Sequence, residues 1–211
     1  MNTVTRFCLI RHGETDWNVA RRLQGHTDIP LNAHGLQQAE LVARHLPDHP
    51  FSALYVSDLT RTRQTAAPLA RRTGLLPMAT PALRERHYGV LQGLSPEDMA
   101  RDYPEETRQY HQRDTGFTGG SGESLQALHD RITRLMQKIA NQHRGEYVLI
   151  VTHGGVLDIV HRWVTEQPLH TPRTFPIPNA ALNWLSYSQN RGWQIDAWAE
   201  QLHLDTALDE L

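Results

Sequence analysis

Two short apolar runs, each ending in histidine and glycine, constrain the fold of this chain more than anything else in it. Phe7-Cys8-Leu9-Ile10 runs into Arg11-His12-Gly13-Glu14-Thr15, and Val148-Leu149-Ile150-Val151 runs into Thr152-His153-Gly154-Gly155. A brief apolar run bounded by polar residues and glycine reads as a buried strand. Each histidine then stands at the carboxyl end of a strand, the edge of an open α/β sheet where ligands bind. The two strands can lie side by side although they are far apart in sequence. One histidine could then act as a nucleophile and the other as a stabiliser of charge.

The sequence between them alternates strand and helix signals. Asn32–Leu46 carries Leu36, Ala39, Val42, Ala43 and Leu46 at helical spacing and ends at Pro47. Ala53–Val56 reads as a second strand. Ser57 or Asp58 caps a helix over Leu59–Arg72, which Gly74 closes. Leu75–Thr80 makes a third strand, and Leu83–Gly93 is an irregular stretch suited to chemistry. Helix starts follow at Ser95-Pro96 and at Pro104, and Gly116–Gly122 reads as a flexible segment. Ser124 caps a long helix to about Asn141, and another helix covers Gly155–Val164. Ala181–Ser188 and Gly192–Ala199 pair as a hairpin around Gln189-Asn190-Arg191. Its Leu182, Trp184, Leu185, Trp193 and Trp198 either pack internally or form the edge of a homodimer. Strands alternating with helices imply an α/β fold with a mostly parallel sheet. The acidic end, Asp205–Leu211, reads as a mobile tail.

Composition narrows the partners. A net charge of −2 over 211 residues argues against nucleic acid and against an anionic membrane surface. Nothing approaches a membrane span, and the first apolar run is too short for a signal peptide. The single cysteine, Cys8, reads as a small buried residue in a reducing compartment, so a cytoplasmic location is expected.

The residues around the histidines carry the chemistry. Arg11 beside His12 makes little sense in a core, because like charges disfavour one another there. It makes sense if an anion lies between them, since a guanidinium fork matches phosphate oxygens. Gly13 lets the backbone come close to such a ligand. Arg61, a turn past the second strand, is another clamp, alone or with the helix amino terminus there. His153 adds a third donor, Gly154-Gly155 adds free backbone N–H groups, and Glu85 supplies a carboxylate. Two histidines, two arginines and a glutamate converging on an anion suit phosphoryl transfer. Histidine would be the covalent nucleophile and glutamate the proton donor to the leaving oxygen. No metal or other cofactor is called for, because the HExxH motif is absent and no tight His/Cys/Asp cluster appears.

These residues resemble the histidine phosphatase superfamily, whose best-known branch holds the cofactor-dependent phosphoglycerate mutases. The correspondence begins with Arg11–Thr15, Trp17-Asn18, Gln24–Asn32 and Gly35. It continues in family order through Ser57–Thr62, Thr65-Ala66, Leu83–Glu85, Gly89–Gly93, Gly122–Ser124 and Val151–Gly155, covering roughly residues 5 to 185. The resemblance implies a three-layer α/β/α sandwich with a mostly parallel central sheet. It implies one domain over residues 1–211 with a small helical cap at about 94–122. It implies His12 as the phosphorylated nucleophile, with Arg11, Arg61 and His153 as the phosphate pocket. Glu85 would be the general acid and then the base that activates water. Asn18 is a further phosphate donor, and Gln24, Gly25 and Gly154 are substrate-side positions. Arg86 and Tyr88 fall where the mutases contact substrate. His12 must present a neutral nitrogen, so its other ring nitrogen should donate to a backbone carbonyl.

A phosphatase passes the phosphohistidine to water, whereas a mutase returns it to another hydroxyl and keeps water out. The mutases carry a longer insertion between glutamate and second histidine, with an adjacent arginine pair. No Arg-Arg dipeptide occurs between Glu85 and His153. That favours a small open cap and a histidine acid-type phosphatase for small phosphomonoesters. Glu85-Arg86-His87-Tyr88-Gly89, which follows the mutase form of its motif, weighs the other way. A non-catalytic phospho-ligand binding module would show a lost catalytic residue, and all five are present. Gly119–Gly122 lacks the lysine and the preceding strand of a phosphate-binding loop.

Overall fold

The computed structural model describes residues 3–204, so the expected tail at Asp205–Leu211 lies outside the described residues. Thr5–Arg11 (β1) is buried along nearly its whole length. Successive side chains of a strand point to opposite faces. Phe7 and Leu9 therefore enter one core while Cys8 and Ile10 enter another. Tyr147–Thr152 (β4) divides in the same way, with Val148 and Ile150 opposite Leu149 and Val151. A strand covered on both faces reads as a continuous apolar run, which is why these two stand out in the sequence.

Phe51–Ser57 (β2), Pro77–Thr80 (β3), Leu182–Ser188 (β5) and Gly192–Glu200 (β6) complete the sheet, in the order β3-β2-β4-β1-β5-β6. The pairs β3-β2, β2-β4 and β4-β1 are parallel, and β5 runs antiparallel to β1 and β6. The sheet is thus mostly parallel. Leu125–Gln142 (α6) and Gly154–Val164 (α7) cover one face with Leu128, Ile132, Met136, Val156 and Val160. Ala33–His45 (α2) and Thr60–Thr73 (α3) cover the other with Val42, Ala43, Ala66 and Leu69. The result is a three-layer α/β/α sandwich. The hairpin apolar residues pack inward: Leu185 is buried with Trp193 and Trp198 against one core, and Leu182 with Trp184 against the other.

Outside the layers, Asp16–Val19 (α1), Pro96–Asp102 (α4) and Pro104–His111 (α5) flank the carboxyl edge of the sheet. A small separate cluster of Leu23, Tyr88, Leu91 and Met99, with Tyr103, Tyr110 and Phe117 against it, holds α4 and α5 there.

Two local expectations are corrected. The amino cap of α3 is Leu59, and its side chain makes no capping bond. Asp28 supplies the cap from another loop, accepting from Thr60 N (2.7 Å) and Thr60 Oγ1 (2.7 Å). Asp58 is instead held by both forks of Arg84, at 2.7 Å each. The Gly116–Gly122 segment is packed against the chain. A side chain at Gly89 would sit 1.9 Å from Gly119 O, and one at Gly119 would sit 2.5 Å from Tyr88 O. Val90 N donates to Gly119 O (2.9 Å) across this seam. Glycine here permits backbone-to-backbone contact, a use that composition does not distinguish from flexibility.

Candidate active site

The register of β1 against β4 aligns Arg11 with Thr152, so His12 and His153 leave adjacent strand ends together. His12 N donates to Thr152 O (2.9 Å), and the two imidazoles meet edge-on with ring centroids 5.3 Å apart. His12 Nδ1 lies 2.7 Å from Gly13 O. A carbonyl only accepts, so the proton is on Nδ1 and Nε2 carries the free lone pair. Burial above all, then Arg61 and Arg11, hold the His12 pKa well below the usual imidazole value. A neutral imidazole whose Nε2 lone pair makes no hydrogen bond has the form a histidine nucleophile requires.

Gly13 has a purpose other than ligand approach. A Cβ there would meet Gly35 O at 2.5 Å, so the glycine admits the first turn of α2 against the strand end. Gly13 N is occupied by Thr65 Oγ1 (3.0 Å), which donates in turn to Arg61 O (2.8 Å).

Arg61 is fully buried on α3. Its Nη1 donates to Thr27 O (2.9 Å), its Nη2 to Gly25 O (2.7 Å) and its Nε to His153 Nδ1 (3.3 Å). Gly25 thus acts through its carbonyl. With Nδ1 accepting, the His153 proton is on Nε2, which donates to the buried Ser57 Oγ (2.8 Å). The expected third donor is therefore an acceptor in this state, and burial followed by Arg61 keeps it neutral. Arg11 is buried and donates from Nη1 to Ile177 O (2.7 Å).

Glu85 closes the site from the loop after β3. Its Oε1 accepts from Arg86 N (2.7 Å) and its Oε2 from Gly155 N (2.9 Å). The second bond comes from the first turn of α7 and fixes the carboxyl group at the amino end of that helix. One of the expected free N–H groups is thus occupied by Glu85 itself. Glycine at 155 is what lets the carboxyl group come this close, because a Cβ there would sit 2.2 Å from Glu85 Oε1 and push it away. Arg131 of α6 fixes the loop, donating to Ala82 O (2.8 Å) and Arg84 O (3.0 Å) while it pairs with Glu123.

Arg11, His12, Asn18, Gln24, Gly25, Arg61, Glu85 and Tyr88 line one cleft, with Trp17, Arg22 and Leu23 at its side. His153 touches it through Arg61 and His12. Asn18 completes a capping box with Thr15, where its Oδ1 accepts from Thr15 N (3.0 Å). That leaves its amide nitrogen for the cleft. Gln24 donates to Thr15 Oγ1 (2.8 Å). Gly154 is the buried first residue of α7 and does not line this cleft. Arg86 is tied to backbone carbonyls. It is buried, its Nε bonds Glu123 O (2.8 Å), its Nη2 bonds Phe117 O (2.6 Å), and the Tyr88 and Phe117 rings flank it. It ties the 117–123 loop to the glutamate loop and lines a neighbouring cleft.

Three supporting residues escaped the sequence reading. Asn179, fully buried, donates to His12 O (2.8 Å). Ser57 sets the His153 tautomer, and Arg131 clamps the glutamate loop. Ser57 stood in the sequence only as a helix-cap candidate and the first residue of the 57–62 motif, and Arg131 had Glu123 just before the same helix.

The family model described as histidine phosphatase superfamily (branch 1) matches residues 7–201. The chain is 38% identical over 209 residues to a metal-independent phosphoserine phosphatase of Arabidopsis thaliana, covering 96% of this chain and 84% of that protein. It is 36% identical over 211 residues to a probable phosphoglycerate mutase, GpmB, of Serratia proteamaculans (strain 568), covering 96% and 97%. The solved structure of a mycobacterial glucosyl-3-phosphoglycerate phosphatase superposes with a TM-score of 0.83 at 29% identity, covering 94% of this chain and 100% of that one.

Proposed function

The chain belongs to the histidine phosphatase superfamily, branch 1, and we propose on that premise that it is a phosphomonoesterase working through phosphorylated His12. In the first step His12 Nε2 attacks phosphorus and the bond to the alcohol oxygen breaks. Glu85 gives that oxygen its proton. In the second step Glu85, now a carboxylate, takes a proton from water. The resulting oxygen nucleophile breaks the N–P bond, releasing phosphate and neutral His12. Arg11, Arg61 and Asn18 receive charge on the phosphoryl oxygens, which matters more than bond-making in a loose transition state. For His153 Nδ1 to donate to phosphate, the ring has to take up a proton and give up the bond from Arg61 Nε.

The observation that carries this reading is His12 itself, held neutral with Nε2 free and Glu85 on the wall of the same cleft. The acid-type character follows from the same burial, since His12 keeps its lone pair into the acid range. Segment 94–122 serves as the cap. We assign the protein to the cytoplasm; among the described residues no helix is long and apolar enough to cross a membrane.

Phosphate release from a panel of phosphomonoesters tests the reading. 3-Phosphoglycerate with 2,3-bisphosphoglycerate is run alongside for 2-phosphoglycerate formation. Phosphate release without isomerisation, together with an acid-labile phosphoenzyme lost in His12→Ala, is expected. Isomerisation outpacing phosphate release would replace it with the mutase reading, which the name of the Serratia relative favours.

A further inference from the structure

His26 joins two parts of the site and does not line the cleft over His12. The carbonyls on either side of it, Gly25 O and Thr27 O, hold the two ends of the Arg61 fork (2.7 and 2.9 Å). His26 N donates to Gln92 Oε1 (2.8 Å). The backbone of residues 25–27 is thus fixed at three points, and the His26 ring extends from it towards the glutamate loop. There its Nε2 lies 2.9 Å from Glu85 O. A carbonyl only accepts, so Nε2 carries a proton and is the donor. The ring is half-buried and rests edge-on against His87, with centroids 4.8 Å apart. Burial above all holds the His26 pKa below the usual imidazole value, so the neutral ring keeps its one proton on Nε2.

The bond matters because of what the accepting oxygen is joined to. Glu85 O and Arg86 N belong to one peptide unit, and Arg86 N donates to Glu85 Oε1 (2.7 Å). A peptide unit is planar, with its carbonyl and its N–H pointing in opposite directions. The direction of the Glu85 carbonyl therefore sets the direction of the Arg86 N–H. That N–H is one of the two backbone donors that place the Glu85 carboxyl group. The other, Gly155 N (2.9 Å), comes from a different element and leaves the carboxyl group free to swing about the contact.

Other groups hold the loop elsewhere. Arg131 donates to Ala82 O and Arg84 O, which fixes the chain before Glu85. It reaches Glu85 O only at 3.5 Å, longer than an ordinary bond of this type. His26 is the closer donor to that oxygen and so orients the 85–86 peptide. Two hydrogen bonds in series through one peptide unit also polarise each other, which strengthens both.

We infer that His26 is a positioning residue for the proton donor: by its bond to Glu85 O it orients the 85–86 peptide, whose N–H aims the Glu85 carboxyl group at the leaving oxygen. This rests on the phosphomonoesterase reading above, in which Glu85 carries the proton.

The experiment is kcat/KM for two esters on the full chain and its variants. One is the alkyl phosphomonoester most readily hydrolysed by the starting enzyme, whose leaving oxygen needs a proton. The other is p-nitrophenyl phosphate, whose leaving group departs without one. His26→Phe keeps a ring against His87 and removes the donor. It should lower the alkyl value by about tenfold, the effect of one lost hydrogen bond, and the nitrophenyl value by less than about threefold. His26→Ala, which adds no bulk, should show the same split. His26→Gln places an amide N–H about where Nε2 stands and should bring the alkyl value back to within about threefold of the starting enzyme. In a Glu85→Gln background, His26→Phe should change the ratio of the two esters no further, because the group it acts through has lost its proton.

Four results would overturn the inference. They are equal falls for both esters in the Phe and Ala variants, no fall for either, glutamine doing no better than phenylalanine, or a further change of ratio in the Glu85→Gln background. Failure of the parent reading looks different: the starting enzyme hydrolyses no alkyl ester, or Glu85→Gln lowers both esters equally, and both then fall.

Discussion

Gly155→Ala tests the proton-transfer role through the residue whose N–H holds the Glu85 carboxyl group. The added Cβ would lie 2.2 Å from Glu85 Oε1 and 3.1 Å from its Cδ. Non-bonded atoms settle at about 3.5 Å, so the carboxylate has to retreat by about 1 Å. It also leaves the 2.9 Å bond from Gly155 N. A displacement of that size costs about 100-fold where geometry is critical, within the roughly 10²–10⁴ that general acid catalysis contributes. We expect kcat/KM for an alkyl phosphomonoester to fall about 100-fold.

The same parameter for p-nitrophenyl phosphate should fall less than about fivefold, because nitrophenolate leaves unprotonated. Its kcat should fall further, since hydrolysis of the phosphohistidine still needs Glu85 as base. A burst of nitrophenolate equal to the enzyme concentration should therefore appear on mixing. Alanine is favoured over glycine inside a helix by up to about 1 kcal/mol. The melting temperature should hold, which separates this loss from unfolding. Equal falls in kcat/KM for both esters, or none, would refute the placement of the proton on Glu85.

Other outcomes follow from the same geometry. His12→Ala should abolish turnover and the labelled phosphoenzyme; residual turnover above background would remove His12 as nucleophile. Because burial depresses the His12 pKa, the unfolded chain takes up a proton near pH 6.5 that the native ring refuses. The stability this provides is present above pH 6.5 and is lost as pH falls towards the native value. Urea midpoints should thus decline on the acid side, less steeply in His12→Phe, and NMR should show a neutral His12 ring at pH 6. A ring charged at pH 6 would contradict the site electrostatics. Ser57→Ala leaves the buried His153 Nε2 donor unpaired, which should cost about 1–3 kcal/mol in chemical denaturation. Leu128→Ala, at a fully buried position facing the sheet, should cost about 2–5 kcal/mol.

What the sequence revealed depended on range. The strands carrying His12 and His153 were visible because burial on both faces makes a strand uniformly apolar, and their adjacency followed from the shared edge. The helix over residues 33–45 and the 182–200 hairpin were legible from periodicity and turn residues. Contacts that join distant segments through a backbone group of one of them were not. Asp28 capping α3, Gly13 against Gly35, and Asn179 holding His12 O each join segments with no shared periodicity. Arg86 shows the limit from the other side. The motif around it was recognisable, yet its guanidinium is turned onto Glu123 O and Phe117 O, a matter of where the 117–123 loop falls.

The contact between Gly89 and Gly119 divides the chain for anyone who would redirect it by directed evolution. His111 is exposed and lines the cleft beside Glu85, so it can be randomised with little loss of packing. Gly89 and Gly119 admit no other side chain, because each faces a carbonyl oxygen across the seam. Libraries that hold those two codons fixed explore new substrates on an intact catalytic loop. Libraries that vary them discard most clones before any substrate is offered.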